Sequence, residues 1–319
     1  MSLSLTCRVK IGKYSFDGVN EVTIVQTRKQ VTNTATIKLP NRLKSDFLVN
    51  KIKGGDAVTI ILGYNAEDRE EFTGYVRDIS FASPITIECE DEMYKLKRVK
   101  PKAKGFPKTT LKELLKYLVP DAVLTDIPKI TLTSFTVYAD KSVAHALQEL
   151  RENFGLEVNF VGKQLFVGVP LTQDTKANAP EVVYNMELNV INSSLQFQRK
   201  EDVRIRVEAR SITGDNQVLT ATVGDDDAST TTTLHFYNVT VKAELERQAE
   251  EKLKVWKHDG FKGALTSFGV PYAEPGWVAK IIDNRYNGSR SGKYFIDSVT
   301  TTFGINGFRR EVEIGRVAG

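Results

Sequence analysis

The sequence predicts a mainly β protein with an α+β insertion: two tube-like antiparallel β-barrels in tandem, flanking a small α/β domain. Three observations predict it. Short Thr-, Val- and Ile-rich runs alternating with period two fill both ends of the chain. Two strongly helical segments interrupt them between residues 109 and 155. A hairpin pattern at 71–91, "EFTGYVRDISFASPITIECED", returns at 291–316 as "SGKYFIDSVTTTFGINGFRREVEIGR". The chain has 319 residues, 41% hydrophobic and 26% charged, enough for two or three domains with cores of their own. Its net charge of +4 comes from well-mixed basic and acidic residues and gives no argument for nucleic acid.

The first domain, 1–95, contains "LSLTCRV" (3–9), "EVTIVQ" (21–26), "NTATIKL" (33–39), "GGDAVTIIL" (54–62), "FTGYVRDISF" (72–81) and "ITIEC" (85–89). Short strands separated by Gly, Asn and Pro turns predict a small barrel or sandwich. The character changes at "KLKRVKPKAKGFPK" (95–108), which has seven basic residues, no acid, two prolines and a glycine. This composition predicts a boundary rather than a packed strand. Lys95, Lys97, Arg98, Lys100, Lys102 and Lys104 then form either a solvated linker or a basic strap against an acidic partner or nucleic acid.

The inserted α+β domain, with its linker, covers 96–181. Thr110 caps a helix with Glu113 completing a capping box, and Leu111, Leu114, Leu115 and Leu118 form its buried stripe. A second helix starts after Ser142, turns Val143, Leu147, Leu150 and Phe154 inward, and ends at Gly155. "LEVNF" and "KQLFVGV" make a hairpin. The third domain, 182–319, brings strands back at "NSSLQFQR", "DVRIRVEARS", "QVLTATV" and "TTTLHFYNVTV". A surface helix comes next at 242–257, its stripe being Val241, Leu245, Ala249, Leu253 and Trp256, and then "GALTSFGV", "GWVAKIID" and the closing hairpin.

The two ends align. Val58 with Val278, Val76 with Ile296 and Ile79 with Val299 are each 220 residues apart, an alignment without a gap. Gly54-Gly55 and Pro275-Gly276 launch the corresponding strands. The slip from period two in both copies is what a β-bulge produces. A duplication explains the repeated hairpin, and a barrel lacks closure without its last strand.

Chemistry has little to work with. His145, His235 and His258 read as structural or solvated, and none belongs to a GxSxG, CxxC or HExxH arrangement. Glu88, Glu90, Asp91 and Glu92 read as a solvated cluster rather than an acid/base pair. "GDDDASTTTT" (224–233) lacks the ligand spacing of a calcium loop. Cys7 and Cys89 read as buried free thiols. No catalytic, cofactor or metal site is predicted. The N-terminus has no signal-peptide core and no stretch approaches the roughly 18 apolar residues of a membrane helix, so folding in a cytoplasm is expected, without membrane insertion.

The third helix with the strands after it, "AELERQAEEKLKVWKHDGFKGALTSFGVPYAEPGWVAKI" and "SGKYFIDSVTTTFGINGFRREVEIG", resembles the baseplate hub proteins of contractile bacteriophage tails. This is the late control D family, similar to the hub half of type VI secretion spike proteins. The resemblance rests on Gly269-Val270-Pro271, Pro275-Gly276, and Gly292, Tyr294, Ile296 and Val299. "NTATIKLPN" and "FTGYVRDIS", with Gly74, Val76 and Ile79, resemble the family's first barrel, and "SVAHALQELRENFGLEVNFVGKQLFVG" its inserted segment.

The resemblance implies a virion structural protein at the tail baseplate of a phage, prophage or related contractile injection system, assembled in a bacterial cytoplasm. Three chains would form a homotrimer whose six barrels match a hexameric tail tube protein on one side and a trimeric spike on the other. Other baseplate proteins are further partners. DNA would pass the lumen transiently, with the 95–108 stretch lining the channel or bracing a neighbour. The chain stops four residues after Gly315, so a separate spike protein is expected. The alternatives are a tail-associated cell-wall hydrolase, or a carbohydrate- or nucleic-acid-binding β module using Tyr64, Tyr272, Trp277 and Tyr286.

Overall fold

A computed structural model describes residues 4–40, 51–65, 67–80, 82–121, 127–132, 134–169, 179–212, 218–228, 230–237, 239–286 and 290–318. The first β unit comprises β1 (Leu5–Ile11), β2 (Tyr14–Phe16), β3 (Glu21–Thr27), β4 (Thr34–Leu39), β5 (Ala57–Tyr64), β6 (Glu67–Ser80) and β7 (Ile85–Glu90). Neighbours run β3-β4-β7-β6-β5-β1-β2, all antiparallel. Alternation puts Val22, Ile24, Ile37, Ile60, Val76 and Ile87 on one face, where they form a common core. Two features escape the sequence pattern: three-residue β2, and the first residues of β6, where the polar run Glu67–Glu70 pairs with β5.

The insertion contains α1 (Met93–Leu96), β8 (Lys104–Phe106), β9 (Thr109–Thr110), α2 (Leu111–Leu118), β10 (Thr131–Leu132), β11 (Phe135–Val137), α3 (Val143–Phe154), β12 (Glu157–Val161) and β13 (Gln164–Gly168). Both expected helix starts are present. Thr110 accepts from the Glu113 backbone while Glu113 reaches back to Thr110, and Ser142 accepts from His145 N–H. Gly155 ends α3 with φ +62°, the left-handed conformation that favours glycine. The Leu stripe of α2 and the inner face of α3 share one core with β12 and β13. The basic stretch does contain a strand, contrary to expectation: β8 pairs with β11. An exposed ladder needs only backbone groups, so lysines at its surface do not prevent it.

The last third holds β14 (Glu181–Asn185), β15 (Val190–Ser193), β16 (Gln196–Gln198), β17 (Ile205–Ile212), β18 (Val218–Gly224), β19 (Thr230–Tyr237), α4 (Lys242–Trp256), β20 (Gly260–Phe268), β21 (Val278–Ile282), β22 (Gly292–Gly304) and β23 (Gly307–Val317). These strands divide between two sheets. β18-β17-β19 stand apart, with β17 and β19 parallel, and α4 covers them through Leu245 and Ala249 against Val207, Ala209 and Ala221. Val241, expected in the helix stripe, is exposed at its N-terminal cap. The others form a second β unit with its own core, including Tyr184, Leu265, Ala279, Tyr294, Ile296, Val299 and Val312.

Closed barrels are not seen among the described residues. Instead β22 pairs with β3, so both units belong to one continuous 14-stranded sheet. A barrel closes only when its outer strands meet each other. Here the outer edge of β3 is taken by the other unit.

Candidate functional site

The strand order of the first unit, β3-β4-β7-β6-β5-β1, recurs in the second as β15/β16-β20-β23-β22-β21-β14. The correspondence extends to single hydrogen bonds. In the first unit Gly55 N–H donates to Val76 O at 2.8 Å and Val76 N–H to Asp56 O at 2.9 Å. In the second, Gly276 N–H donates to Ile296 O and Ile296 N–H to Trp277 O, both at 2.8 Å. Gly55 and Gly276 turn the chain with φ +93° and +92°, where a side chain is strained. Directly afterwards both ladders slip, between Val76 and Asp78 and between Ile296 and Ser298, where the sequence expects a bulge. One detail of the alignment changes. The turn glycines lie one residue further apart than the bulges, so Val278 corresponds to Ala57, and Val58 to Ala279. Burial agrees: Val58 and Ala279 each belong to the main core of their unit. The last pairing differs too, because β1 runs antiparallel to β5 while β14 runs parallel to β21.

The motif residues cluster around these turns. Val76, Ile296 and Val299 are fully buried, and Ile79 is half-buried against the first core. A Cβ on Gly74 would lie 2.1 Å from Glu90 O. Tyr294 is buried and its hydroxyl accepts from Phe261 N–H at 2.9 Å. A Cβ on Gly292 would come within 2.8 Å of that hydroxyl, which accounts for the Gly-x-Tyr spacing. Pro275 is half-buried beside Gly276 in the turn before β21.

The two units meet along Ser298–Gly304 of β22 and Glu21–Thr27 of β3. Arg28 N–H donates to Asp297 O at 3.0 Å, and Lys29 Nζ reaches Glu313 at 2.7 Å and Asp297 at 3.9 Å. Across the same contact Tyr64 donates its hydroxyl to Phe308 O at 2.7 Å. Arg310 of β23 is fully buried and grips Glu71 of β6 through both terminal nitrogens at 2.9–3.1 Å, with Thr301 and Gly269 O completing its shell. Arg28 also pairs with Glu157, tying the insertion to this corner.

By the repeat, each of the two edges used in this junction has a second copy. Asp78–Ser80 corresponds to the start of the β22 segment, and β15/β16 to β3. Both outer edges lack a strand partner among the described residues.

The basic stretch is partly occupied. Lys95 binds Glu92 and lies over the Tyr75 ring, Lys97 binds Glu90, Arg98 stacks on Tyr94, and Lys104 lies near Phe106 and Tyr117. Lys100 and Lys102 are exposed. The neighbouring carboxylates are not the solvated cluster expected. Glu90 and Asp91 are buried, because the strand end is covered by α1 and the β3–β4 connection. Asp91 accepts from Asn33 and Met93 N–H, and burial pushes its carboxyl up to about 7 against these bonds. Each candidate acid thus already serves a structural bond.

Asp225, Asp226 and Asp227 face Lys257, Arg204 and Arg206. His145 pairs with Glu149, and His235 packs against Gly155, where burial lowers its pKa. Cys89 is buried and Cys7 half-buried; both are free, with burial raising the thiols to about 12 and about 11. Tyr64 lies inside the junction rather than on an exposed platform, Tyr272 packs edge-on to Trp277, and the Tyr286 side chain lies outside the described residues. No helix among the described residues is long and apolar enough to cross a membrane.

No family model and no curated protein matches this sequence. Solved structures do match along nearly the whole chain. A tail protein from Neisseria meningitidis MC58 has a TM-score of 0.67 at 13% identity, covering 97% of this chain and 96% of the other. The 43 kDa tail protein of prophage MuSo2 from Shewanella oneidensis has 0.65 at 16%, covering 98% of each. The chain has the fold of phage tail proteins. A third match, at TM-score 0.57 and 10% identity, covers 97% of this chain and 76% of an Escherichia coli type VI secretion component, itself described as similar to the T4 tail proteins gp27 and gp5. These likenesses agree with the resemblance carried by the sequence motifs.

Two features of the junction escaped the sequence. The Arg310–Glu71 lock looks like ordinary surface charge, although period two puts Arg310 on the same face as Phe308 and Val312. The Arg28-Lys29 pair at the junction recurs as Arg199-Lys200, a match visible only when the alignment admits gaps.

Proposed function

We propose that the chain is a structural hub of a phage tail baseplate or phage-like particle, organised as 1–95, 96–181 and 182–319. Its two related β units would be presented by a homotrimer as six near-equivalent units to a hexameric tail tube protein, with a trimeric spike on the opposite face. Other baseplate proteins would bind its periphery, and DNA would pass only transiently. The observation that carries this reading is the repeated strand order joined by an internal junction, with the edges of a further junction left open. A head-to-tail contact of this kind makes a ring when its rotation closes. The protein is not an enzyme in this reading, since its candidate acids are engaged in structural bonds.

Light scattering on purified protein tests the proposal: three chains per particle are expected. A stable monomer, or peptidoglycan turnover abolished by one carboxylate substitution, would replace the hub with a binding module or a hydrolase.

A further inference from the structure

We infer, resting on the hub reading above, that the outer edge of β6 at Asp78–Ser80 pairs antiparallel with β16 of a second copy, in the register that β22 and β3 use within the chain. Asp78 then faces Gln198, Ile79 faces Phe197, and Ser80 faces Gln196.

Internal registers fix this assignment. The bulge makes Asp78, Ile79 and Ser80 the counterparts of Ser298, Val299 and Thr300. Their cross-strand partners agree, since Glu88, Ile87 and Thr86 of β7 stand where Glu313, Val312 and Glu311 stand in β23. Tracing the ladders outward through β4 and β20 makes Ser193 the counterpart of Val22, and counting along the strand from there makes Gln196, Phe197 and Gln198 the counterparts of Val25, Gln26 and Thr27. Within the chain, Ser298 faces Thr27, Val299 faces Gln26 and Thr300 faces Val25. Transferring those three pairs gives the contact.

Two observations outside the ladders support it. Arg199-Lys200 comes after β16 as Arg28-Lys29 comes after β3. The transferred positions put Arg199 N–H on the Arg77 carbonyl and Lys200 beside Glu88, whose carboxylate Arg77 already holds within its own unit. Ile79 and Phe197 are also half-buried apolar residues, each packed against its own core at a strand edge. Facing one another, they cover the apolar surface that each edge leaves open, while the pairing satisfies backbone groups that an open edge exposes. Gln196 and Asp78 are exposed, so nothing buried must move.

Cysteine pairs read the register directly. Residues directly opposite in an antiparallel pair have Cα atoms about 4.5–5.5 Å apart, within the roughly 4.4–6.8 Å of a disulfide, whereas diagonal neighbours are about 7–8 Å apart. A chain carrying Asp78→Cys and Gln198→Cys, mildly oxidised, should give a covalent ladder ending at the trimer. Asp78→Cys with Gln196→Cys should cross-link at least tenfold more slowly, with single-cysteine variants controlling for Cys7 and Cys89. A light-scattering trimer in which neither pair links, or in which the diagonal pair links faster, overturns the register and leaves the hub reading standing. Protein that stays monomeric at micromolar concentration overturns both. For unmodified protein, hydrogen exchange at 78–80 and 196–198 should slow in the assembled fraction alone; unchanged exchange on assembly also overturns the register.

Discussion

Replacing Arg310 with Met removes the cation that joins the two β units from inside. The guanidinium is fully buried and makes six short contacts: three to the Glu71 carboxylate, two to Gly269 O and one to the Thr301 hydroxyl. Methionine fills most of the volume but satisfies none of them. Glu71, whose side chain is 2% exposed, is then left as an uncompensated buried charge. Breaking a buried pair from one side costs about 3–5 kcal/mol, a large part of the roughly 5–15 kcal/mol that holds a domain folded. Removing both charges in Arg310→Met with Glu71→Leu should cost less than the sum of the single changes by about 2–3 kcal/mol, because no unpaired charge remains. Urea unfolding followed by tryptophan fluorescence measures all three variants. A loss below about 1 kcal/mol for Arg310→Met, or strict additivity, would mean that water reaches the pair and that the junction is looser than its geometry.

The Asp91 carboxyl, held up to about 7 by burial against an unfolded value of about 3.9, makes the folded chain retain a proton that the unfolded chain has lost. Stability therefore falls as pH rises from about 4 to about 7. Asp91→Asn should gain on the parent by up to about 4 kcal/mol across that window, whereas a flat difference curve in denaturation at several pH values would contradict the assignment. Tyr294→Asp places a charge where the ring is 2% exposed and should unfold the second unit, so a soluble trimeric variant is the adverse result. Gly74→Ala drives a Cβ into Glu90 O and should cost about 1–3 kcal/mol, checked by thermal denaturation. Thr110→Ala removes the capping box of α2 and should cost about 1 kcal/mol, with slowed loss of helical circular dichroism on heating arguing against it.

Local grammar was legible in the sequence where a single residue type has one structural job. Thr110, Ser142 and Gly155 mark helix ends, and the Leu stripe of α2 is buried as its spacing demands. Repetition was legible because a bulge breaks period two at a fixed place. Connectivity was less so. Period two makes Glu21–Thr27 a strand with one apolar face, but says nothing about which strand takes its outer edge, so a continuous sheet and two closed barrels look alike. Parallel pairing of β17 with β19 has no local signature either. Glu71 opens the hairpin pattern at 71–91 behind charged neighbours, and only the approach of Arg310, 239 positions away, gives it a buried partner.

Divergence between the two units matters as much as their likeness. The bulge residue is Arg77 in one and Asp297 in the other, while the glutamate across the strand persists as Glu88 and Glu313. Arg77 pairs with Glu88 inside its own unit. Asp297 and Glu313 instead carry like charge, and the cation between them, Lys29, comes from the first unit. Lys29 is half-exposed, so this ion pair adds little stability. Its contribution is positional: the second unit's bulge meets the basic Arg28-Lys29 corner of the first unit, whereas the pairing inferred above sets the Arg199-Lys200 corner of another copy against a bulge that already holds its own cation, Arg77. The two kinds of junction in the proposed ring thus share a backbone register but differ in charge at the bulge, a pattern that repeats three times rather than six.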